Sequence, residues 1–434
     1  MKTNLISDQN TTTRSRIKKQ PIDSQSSPQK PATRKQSQMI TGPITALDYR
    51  FLLIILFIVL SVLFSISTIR FPPPKPPPPV NRTELAHSRI AVCLVGGARR
   101  FELTGPSIVE RLLKEYPNAD VFLNSPFDEN SYKLLVLKSA PKVVAVRVFE
   151  QRWLEETRES ERVLSSEGSP NGIQGLLQYF NLVEGCISLI QHHETRFNFT
   201  YNWIIRTRVD GFWSGPLNPN SFIRGHYVVP PGSAYGGLND RLGIGEHDIF
   251  IVALARLSLV PSLDLAGFSQ LNSESAFKAQ LTLHNIRHVT MPQPFCIVSD
   301  RAYVFPPVQF NVPVLGLTSR GEMSGAKCRP CRPACVGPCV GRVMNGLENG
   351  WSWAEEWNGS SVDLCDARGE WEVGWERVFD RVVGPGLAES RRRVGRLRVE
   401  ECVRDWEKMR EKASYWESPP IGEICKLGLR KISH

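Results

Sequence analysis

Short apolar runs alternate with helical patterns along most of the chain, beginning near residue 89. An uninterrupted apolar segment lies at 90–97, and mainly apolar segments lie at 119–125 and 142–149. Such runs are typical of strands that are buried on both faces of a sheet. Between 173 and 193, apolar residues recur every three or four positions, which predicts one long amphipathic helix. Strands separated by helices imply a mostly parallel sheet with helices on both faces. We therefore predict an α/β body.

The same alternation continues beyond this first part, without an internal repeat. Further strands are predicted at 201–213, 226–231 and 295–305, and further helices at 107–116, 273–286, 371–383 and 397–416. After about residue 320 the composition shifts to Cys, Pro and Trp. We therefore divide the body into an α/β domain at 89–320 and a Cys/Trp-rich, mainly helical C-terminal appendage at 321–434.

A longer apolar segment precedes this body. Residues 51–69 include no charged residue, no proline and no glycine. As a helix rising about 1.5 Å per residue they span roughly 29 Å, close to the ~30 Å hydrocarbon core of a bilayer. A cleavable signal peptide would be shorter and nearer the N-terminus. We therefore predict a single transmembrane helix at 49–69 that acts as a signal-anchor.

The flanks of this helix set its predicted orientation. Residues 1–50 carry nine Lys/Arg against three Asp, so the positive-inside rule places the N-terminus in the cytosol and the body in the lumen. Residues 1–48 have the composition of a disordered tail, and 70–88 form a Pro-rich stem. Acceptor triplets for N-glycosylation at Asn81, Asn198 and Asn358 agree with a luminal glycoprotein.

The net charge of +10 does not indicate a nucleic-acid partner. The excess of positive charge is concentrated in the short tail, where its simplest role is to determine membrane topology. The luminal body keeps only a small positive balance. We therefore expect no nucleic-acid binding.

All ten cysteines follow the predicted anchor, and an even number in an oxidising compartment predicts disulfides. Four of them form the pattern C-x2-C-x3-C-x3-C between Cys328 and Cys339. Thiolates at such spacing can also bind zinc or an iron–sulfur cluster, so both alternatives stay open. Structural zinc sites usually draw ligand pairs from separate segments, which favours disulfides here.

Candidate binding groups lie where predicted strands end, which is where ligands bind in open parallel sheets. The first strand ends in Gly96-Gly97-Ala98-Arg99-Arg100. Glycines let backbone N–H groups approach a phosphate, and Arg99 can pair with it. A plain tight turn is the alternative interpretation.

A second group is Arg206-Thr207-Arg208-Val209-Asp210. An apolar strand that acquires two arginines and an aspartate is unlikely to bury them unpaired. With a period of two, Arg206, Arg208 and Asp210 point the same way. They therefore pair with one another or with a ligand or metal.

Two later carboxylates complete the candidate site. Asp240 interrupts a glycine-rich segment, 235–245, and can accept a hydrogen bond from a sugar hydroxyl; an Asx turn is the alternative. Glu274 begins the predicted helix at 273–286, where it is a candidate general base. A stabilising charge at the helix N-terminus is the alternative role for Glu274.

With these residues in view, the chain resembles Golgi type II glycosyltransferases of the GT-A, Rossmann-type fold. The segment IIRTRVDGFW is similar in placement to the Asp-x-Asp element of that fold, GGLNDRLGIG to its Asn-Asp segment, and SESAFKAQLTLHNI to its later acidic helix. The whole chain, including KCRPC and the Trp-rich end, also resembles a plant family of membrane-anchored proteins of unknown function. One departure is Arg208, which stands where the Asp-x-Asp element has Asp.

The resemblance implies a donor nucleotide sugar, a glycan or glycoprotein acceptor and a Golgi membrane location. It implies Mn²⁺ at Asp210, although an arginine at 208 can neutralise a diphosphate instead. Gly96, Gly97, Arg99 and Arg208 would hold the donor, with Asp240 and Glu274 as catalytic residues. The alternative hypothesis is a non-catalytic luminal module with a degenerate transferase fold that binds glycans or acts as a scaffold.

Overall fold

The structure is a computed structural model that describes residues 51–61, 78–167, 171–357 and 361–429. The chain divides into two units, Met1–Pro74 and Lys75–His434. In the first unit the described residues form a helix, α1, over 51–61, and its large apolar side chains are exposed.

The described part of the chain contains no helix that is both long and apolar enough to span a bilayer. The anchor predicted at 49–69 extends beyond α1 into residues outside the described ranges. The predicted tail at 1–48 and residues 70–77 of the stem predicted at 70–88 also lie outside them, and these assignments remain predictions. In the described part of that stem, Arg82–His87 form a helix.

The described residues of the second unit form twelve strands and a larger set of helices. The strands are β1 Ile90–Val95, β2 Asp120–Pro126, β3 Val143–Phe149, β4 Trp203–Arg208, β5 Gly211–Trp213, β6 Tyr227–Val229, β7 Leu242–Glu246, β8 His288–Thr290, β9 Phe295–Val298, β10 Val314–Gly316, β11 Lys327–Arg329 and β12 Tyr415–Glu417. The α-helices are α2 Arg82–His87, α3 Phe101–Ile108, α4 Arg158–Val163, α5 Gly172–Phe197, α6 His247–Leu254, α7 Val260–Leu265, α8 Ser273–Leu283, α9 Pro338–Met344, α10 Trp375–Val383, α11 Pro385–Gly395, α12 Val399–Lys412 and α13 Ile421–Leu429. A π-helical segment, Val109–Leu113, continues α3, and 3-10 helices span Ser131–Ser139 and Pro219–Ser221.

The larger sheet has eight strands in the order β12-β3-β2-β1-β4-β7-β6-β8. The strands from β12 to β4 are parallel to their neighbours, and β7 is antiparallel to both β4 and β6. The prediction of an α/β protein with a parallel-rich sheet is therefore confirmed.

Side chains of β1 alternate between two apolar cores on opposite faces of this sheet. Ile90, Val92 and Leu94 pack in the core that also contains residues of α3 and α12. Ala91 and Cys93 face the other core, which contains residues of α5, α6 and α8. Because both faces are covered, the strand is apolar at every position, which explains the uninterrupted run in the sequence.

A second sheet of four strands has the order β10-β11-β9-β5. The segment 201–213, predicted as one strand, forms two strands in different sheets, because β4 ends at Arg208 and β5 begins at Gly211. The two residues between them, Val209 and Asp210, lie at the junction of the sheets.

The boundary predicted at residue 320 does not separate two packing units. Strand β11 pairs with β9, and β12 extends the larger sheet beside β3. Trp406 and Cys402 of α12 are buried in the same core as Leu94. The last part of the chain is therefore an integral part of the fold and not a helical appendage.

The cysteines form five disulfides, which confirms that prediction over the zinc and iron–sulfur alternatives. The pairs are Cys93–Cys186, Cys296–Cys328, Cys331–Cys365, Cys335–Cys339 and Cys402–Cys425. The dense group at 328–339 contributes to three of these bridges, two of which lead to other segments of the chain.

Strand β7 was missed in the sequence because its segment is rich in glycine, which is usually depleted in strands. The structure explains the glycine at position 243. A Cβ there would lie 1.7 Å from the hydroxyl oxygen of Tyr227, so only glycine lets this ring pack flat on the strand.

Candidate functional site

The candidate site lies at the end of the larger sheet where β1 and β4 terminate and β7 begins. Val95, the last residue of β1, pairs with Arg208, the last residue of the parallel strand β4. Leu242, the first residue of the antiparallel strand β7, pairs with Thr207. The segments that follow β1 and β4 therefore lie beside the segment that precedes β7. All of the site residues predicted from the sequence, apart from Glu274, belong to these three strands or segments.

Arg208 and Asp210 form a bidentate ion pair. Nε of Arg208 donates to Oδ1 at 2.8 Å and Nη2 donates to Oδ2 at 2.6 Å, and the two side chains are 28% and 13% exposed. Burial alone would raise the pKa of Asp210, but Arg208 outweighs it and lowers that pKa to about 2. Asp210 is therefore an ionised carboxylate whose two oxygens are both in use.

Asp240 is buried and bound by the protein itself. Its Oδ2 accepts hydrogen bonds from the hydroxyl groups of Tyr179, at 2.9 Å, and Ser273, at 2.7 Å, and lies 3.7 Å from Nη1 of Arg256. Burial would raise the pKa of Asp240, yet the charges of Arg256 and Arg206 keep it below its usual value. Asp240 thus ties α5 and α8 to the end of the sheet.

The two buried arginines beside Asp240 have more donors than the protein satisfies. Arg206 is fully buried and donates through Nη1 to the hydroxyl of Tyr179 at 3.1 Å. Within the described residues, Nε and Nη2 of Arg206 and both terminal nitrogens of Arg256 have no hydrogen-bond partner. A buried guanidinium group is costly without full pairing. Arg206 and Arg256 therefore leave positive charge beside Asp240 that the protein only partly compensates.

Glu274 lies beside this network, in the first turn of α8. The helix begins with a capping box between Asn272 and Ser275, and the backbone N–H of Leu238 donates to the carbonyl of Glu274 at 3.1 Å. Gly237 makes this approach possible, because a Cβ at that position would lie 1.9 Å from the same carbonyl oxygen.

The Glu274 side chain is partly exposed, and its pKa is displaced toward neutrality. Burial and the Asp240 carboxylate raise that pKa to about 7, although Arg241 and Arg256 oppose the shift. A carboxyl group with a pKa near 7 is well matched to proton transfer at neutral pH.

Lys327 is a member of the cluster that sequence reasoning missed. It is the first residue of β11, is partly exposed, and interacts electrostatically with Asp210, Arg208 and Arg241. Burial and the two arginines hold its pKa well below the usual value, while Asp210 opposes them. The lysine was overlooked because it lies in the Cys/Pro-rich segment, which was assigned to a separate appendage.

Arg99 is exposed and belongs to the same group of charged side chains at the end of the sheet. Its positive charge lowers the pKa of Asp210, which places the two side chains in one electrostatic cluster. Gly96 has a φ of +126°, and a Cβ at Gly97 would lie 3.4 Å from Oδ2 of Asp128. A carboxylate beside Gly97 disfavours a phosphate at that glycine, so we place the anion closer to Arg208.

Basic side chains outnumber carboxyl groups in this cluster. The basic members are Arg99, Arg206, Arg208, Arg241, Arg256 and Lys327, and the acidic members are Asp128, Asp210, Asp240 and Glu274. Such an edge attracts anions.

The donor set does not fit the Mn²⁺ ion predicted at Asp210. Among the described residues there is no group of three or more His, Cys, Asp or Glu side chains that could hold a metal ion. Both oxygens of Asp210 are occupied by Arg208, and a further basic side chain, Lys327, interacts with the same carboxylate. We therefore derive no step through a metal at this site.

Sizeable cavities in the described part of the chain lie away from this cluster. One of about 580 Å³ is found near the amino-terminal ends of β1, β2 and β3, where Asp120 is already bound by Tyr201 and Lys142. Ligands of parallel sheets bind at the carboxyl ends of the strands. Charge, and not cavity volume, therefore identifies the candidate site.

The chain belongs to the family described as Domain of unknown function (DUF7796), whose model matches residues 85–431. The sequence matches none of the curated proteins with which it was compared. Among solved structures, it is similar to the crystal structure of mouse xyloside xylosyltransferase 1 in its apo form.

That similarity covers 47% of this chain and 85% of the mouse chain, with 10% sequence identity and a TM-score of 0.32. A likeness of this size carries no argument about function. The function proposed below therefore rests on the residues of the site.

Proposed function

We propose that the protein is a glycosyltransferase that moves a sugar from a nucleotide sugar to a glycan or glycoprotein acceptor. One observation carries the proposal: an excess of positive charge at the carboxyl edge of the sheet lies beside a partly exposed carboxyl group with a pKa near 7. Direct displacement of a nucleoside diphosphate by an acceptor hydroxyl uses both features, a cationic site for the leaving diphosphate and a base for the acceptor proton.

The diphosphate of the donor would lie against Arg208, Lys327 and Arg99. These side chains are at least partly exposed, and each interacts electrostatically with Asp210. Charge on the diphosphate increases as it leaves, so fixed cations near it stabilise the transition state more than the bound donor. This is the role that a divalent cation would otherwise fill.

Glu274 would act as the general base. The acceptor oxygen forms a bond to the anomeric carbon while the bond from that carbon to the phosphate oxygen breaks. The electron pair of the broken bond leaves with the nucleoside diphosphate, and the acceptor proton passes to the Glu274 carboxylate. A pKa of about 7 leaves roughly half of this group deprotonated at neutral pH.

Asp240 would position this base instead of touching the substrate. Its side chain is buried, and its Oδ2 holds Ser273, the residue next to Glu274. The same carboxylate raises the pKa of Glu274. We therefore assign Asp240 to the orientation and tuning of Glu274.

The proposed location is the Golgi membrane, with the body in the lumen. The five disulfides support an oxidising compartment for the body. The membrane segment itself is a prediction from the apolar sequence at 49–69.

The proposal is tested by isothermal titration calorimetry of the purified full-length chain with UDP, GDP and ADP. We expect one of them to bind, and we expect Arg208→Ala to weaken that binding by about tenfold, the loss typical of a charge-assisted contact. The nucleotide sugar of the same nucleotide is then assayed for turnover. Absence of binding by all three nucleotides contradicts the proposal and favours a glycan-binding or scaffold protein.

A further inference from the structure

The loop between β6 and β7 holds an aromatic residue in a strained conformation next to Glu274. Ser233 and Tyr235 have φ values of +49° and +44°, in the left-handed region that residues other than glycine rarely adopt. Each such residue costs free energy and persists only where the surrounding contacts enforce it. Strain of this kind is concentrated at functional sites.

Contacts on both sides enforce the strained conformation of this loop. The N–H of Ala234 donates to the carbonyl of Gly350 at 3.0 Å, and the hydroxyl of Ser233 donates to the carbonyl of Ser352 at 3.1 Å. On the other side, Nδ2 of Asn272 donates to the carbonyl of Tyr235 at 2.9 Å. The loop is therefore held between the segment around Trp351 and the N-terminus of α8.

The rings of Tyr235, Trp351 and Phe310 form one aromatic cluster. Tyr235 and Trp351 meet edge to face with their centroids 4.7 Å apart, and Trp351 meets Phe310 at 5.6 Å. Phe310 is 52% exposed, and the other two rings are partly exposed. The indole N–H of Trp351 has no hydrogen-bond partner among the described residues, whereas such groups usually find one when buried.

This cluster is continuous with the candidate active site through Arg241. Nη2 of Arg241 lies 3.5 Å from the hydroxyl of Tyr235, and the charge of Arg241 lowers the pKa of Glu274. Asn272, which holds the carbonyl of Tyr235, precedes Glu274 by two residues. The rings therefore border the side of the site where the proposed base lies.

We propose that Tyr235 and Trp351 form the acceptor subsite and bind a sugar ring. The C–H groups on one face of a pyranose are weakly positive and pack on the negative face of an aromatic ring, and both rings are partly exposed. The inference rests on the proposed function, because the sugar would be held there with a hydroxyl directed at Glu274.

The test measures saccharide and nucleotide binding separately, on the purified full-length chain. The chain is applied to an array of defined oligosaccharides, and its affinity for the best of UDP, GDP and ADP is measured by calorimetry. We compare Trp351→Ala and Tyr235→Asn with the wild type, because asparagine tolerates the left-handed backbone and removes the ring. Tyr235→Phe, which keeps the ring, and Trp153→Ala, at an isolated side chain that is 77% exposed, are the controls.

We expect the two test variants to lose about tenfold in saccharide binding, as the removal of an aromatic contact predicts, and to keep nucleotide affinity within about twofold. Both controls should bind saccharides like the wild type. The inference is overturned if the wild type retains no saccharide, if the test variants bind saccharides normally, or if their nucleotide affinity falls in parallel. If saccharide binding depends on the two rings but no nucleotide binds, the saccharide subsite is supported and the proposed function is contradicted.

Discussion

Arg208 neutralises Asp210 through two parallel hydrogen bonds, at 2.8 Å and 2.6 Å, at the junction of the two sheets. Asp210 follows the end of β4, where the Asp-x-Asp element would bind a metal ion. In this chain its carboxylate is instead paired with Arg208. The other basic side chains that interact with Asp210 are Lys327 and Arg99. This relationship favours an anion over a metal ion as the ligand of the site.

Asp210→Asn should destabilise the fold at neutral pH. The pKa of Asp210 falls from 3.8 to about 2, and such a shift corresponds to about 2 kcal/mol. Because this pKa is depressed in the folded state, the stabilisation is present above pH 3.8 and is lost as the pH falls through about 2. Urea unfolding at pH 7 and at low pH measures both parts of this expectation.

The matched control is Asp366→Asn. Asp366 pairs with Arg368, also two residues away, but both side chains are exposed. Solvent screens such a pair, so its loss should matter little. Equal effects of the two substitutions would contradict the importance of the Arg208–Asp210 pair.

Nucleoside diphosphate binding should not require a divalent cation. The affinity measured by calorimetry with EDTA should lie within about threefold of that measured with Mn²⁺, because Arg208 and Lys327 supply the positive charge. Asp210→Asn should preserve or increase this affinity, since it removes a negative charge from the site. A strict need for Mn²⁺, together with loss of binding in the Asp210 variant, would show that the aspartate serves a metal.

Lys327→Met should weaken nucleoside diphosphate binding by about tenfold to a hundredfold, the range for a hydrogen bond between charged groups. Lys412→Met, at an exposed lysine at the end of α12, is the control. Because the pKa of Lys327 is held below its usual value by burial and by the neighbouring arginines, a bound diphosphate should raise it.

Binding should therefore take up protons, and affinity should fall as the pH rises. Calorimetry in Tris and in HEPES, whose ionisation enthalpies differ, measures this uptake. The uptake should disappear in Lys327→Met. If Lys327→Met binds the nucleoside diphosphate as tightly as the wild type does, Lys327 is not part of the site.

The bridge Cys402–Cys425 should contribute about 3 kcal/mol to stability. It links α12 to α13 over 23 residues, and the loop-entropy relation gives about 3 kcal/mol for a loop of that length. The double substitution to alanine should lower the free energy of unfolding by that amount in urea. The bridge Cys335–Cys339 closes a span of only 4 residues, for which the same relation gives about 2 kcal/mol. The reverse order would contradict the loop-entropy account.

The strands and long helices could be predicted because their patterns depend on local burial. Strand β1 is apolar at every position since its two faces meet different cores, and α5 has a clear helical period. Helix α3 begins at Phe101, earlier than predicted, because Pro106 inside it obscured the pattern.

The candidate site was only partly predictable. Arg208, Asp210, Asp240 and Glu274 were found because charges at strand and helix ends stand out in a sequence. Lys327 could not be found, because its place beside Asp210 depends on the pairing of β11 with β9. The burial of Asp240 likewise depends on Tyr179 and Ser273, which are distant in the sequence.

Glu274 gives the pH dependence that decides between an enzyme and a binding module. As a general base it must be deprotonated, so kcat at saturating donor should rise with pH through about 7 and then level off. Glu274→Gln should reduce turnover by about a hundredfold or more, remove this limb of the profile and leave nucleoside diphosphate affinity unchanged. Glu400→Gln, in the first turn of α12, is the control for loss of a helix N-terminal charge.

The free energy of unfolding reports on the pKa of Glu274 independently of turnover. The folded-state pKa of Glu274 is raised from 4.5 to about 7, so its favourable contribution is complete below pH 4.5 and is lost as the pH rises through 7. The free energy of unfolding of the wild type should therefore fall between pH 5 and pH 8 relative to that of Glu274→Gln. If stability follows this course while turnover does not depend on Glu274, the raised pKa reflects burial beside Asp240 alone, and another group must accept the proton.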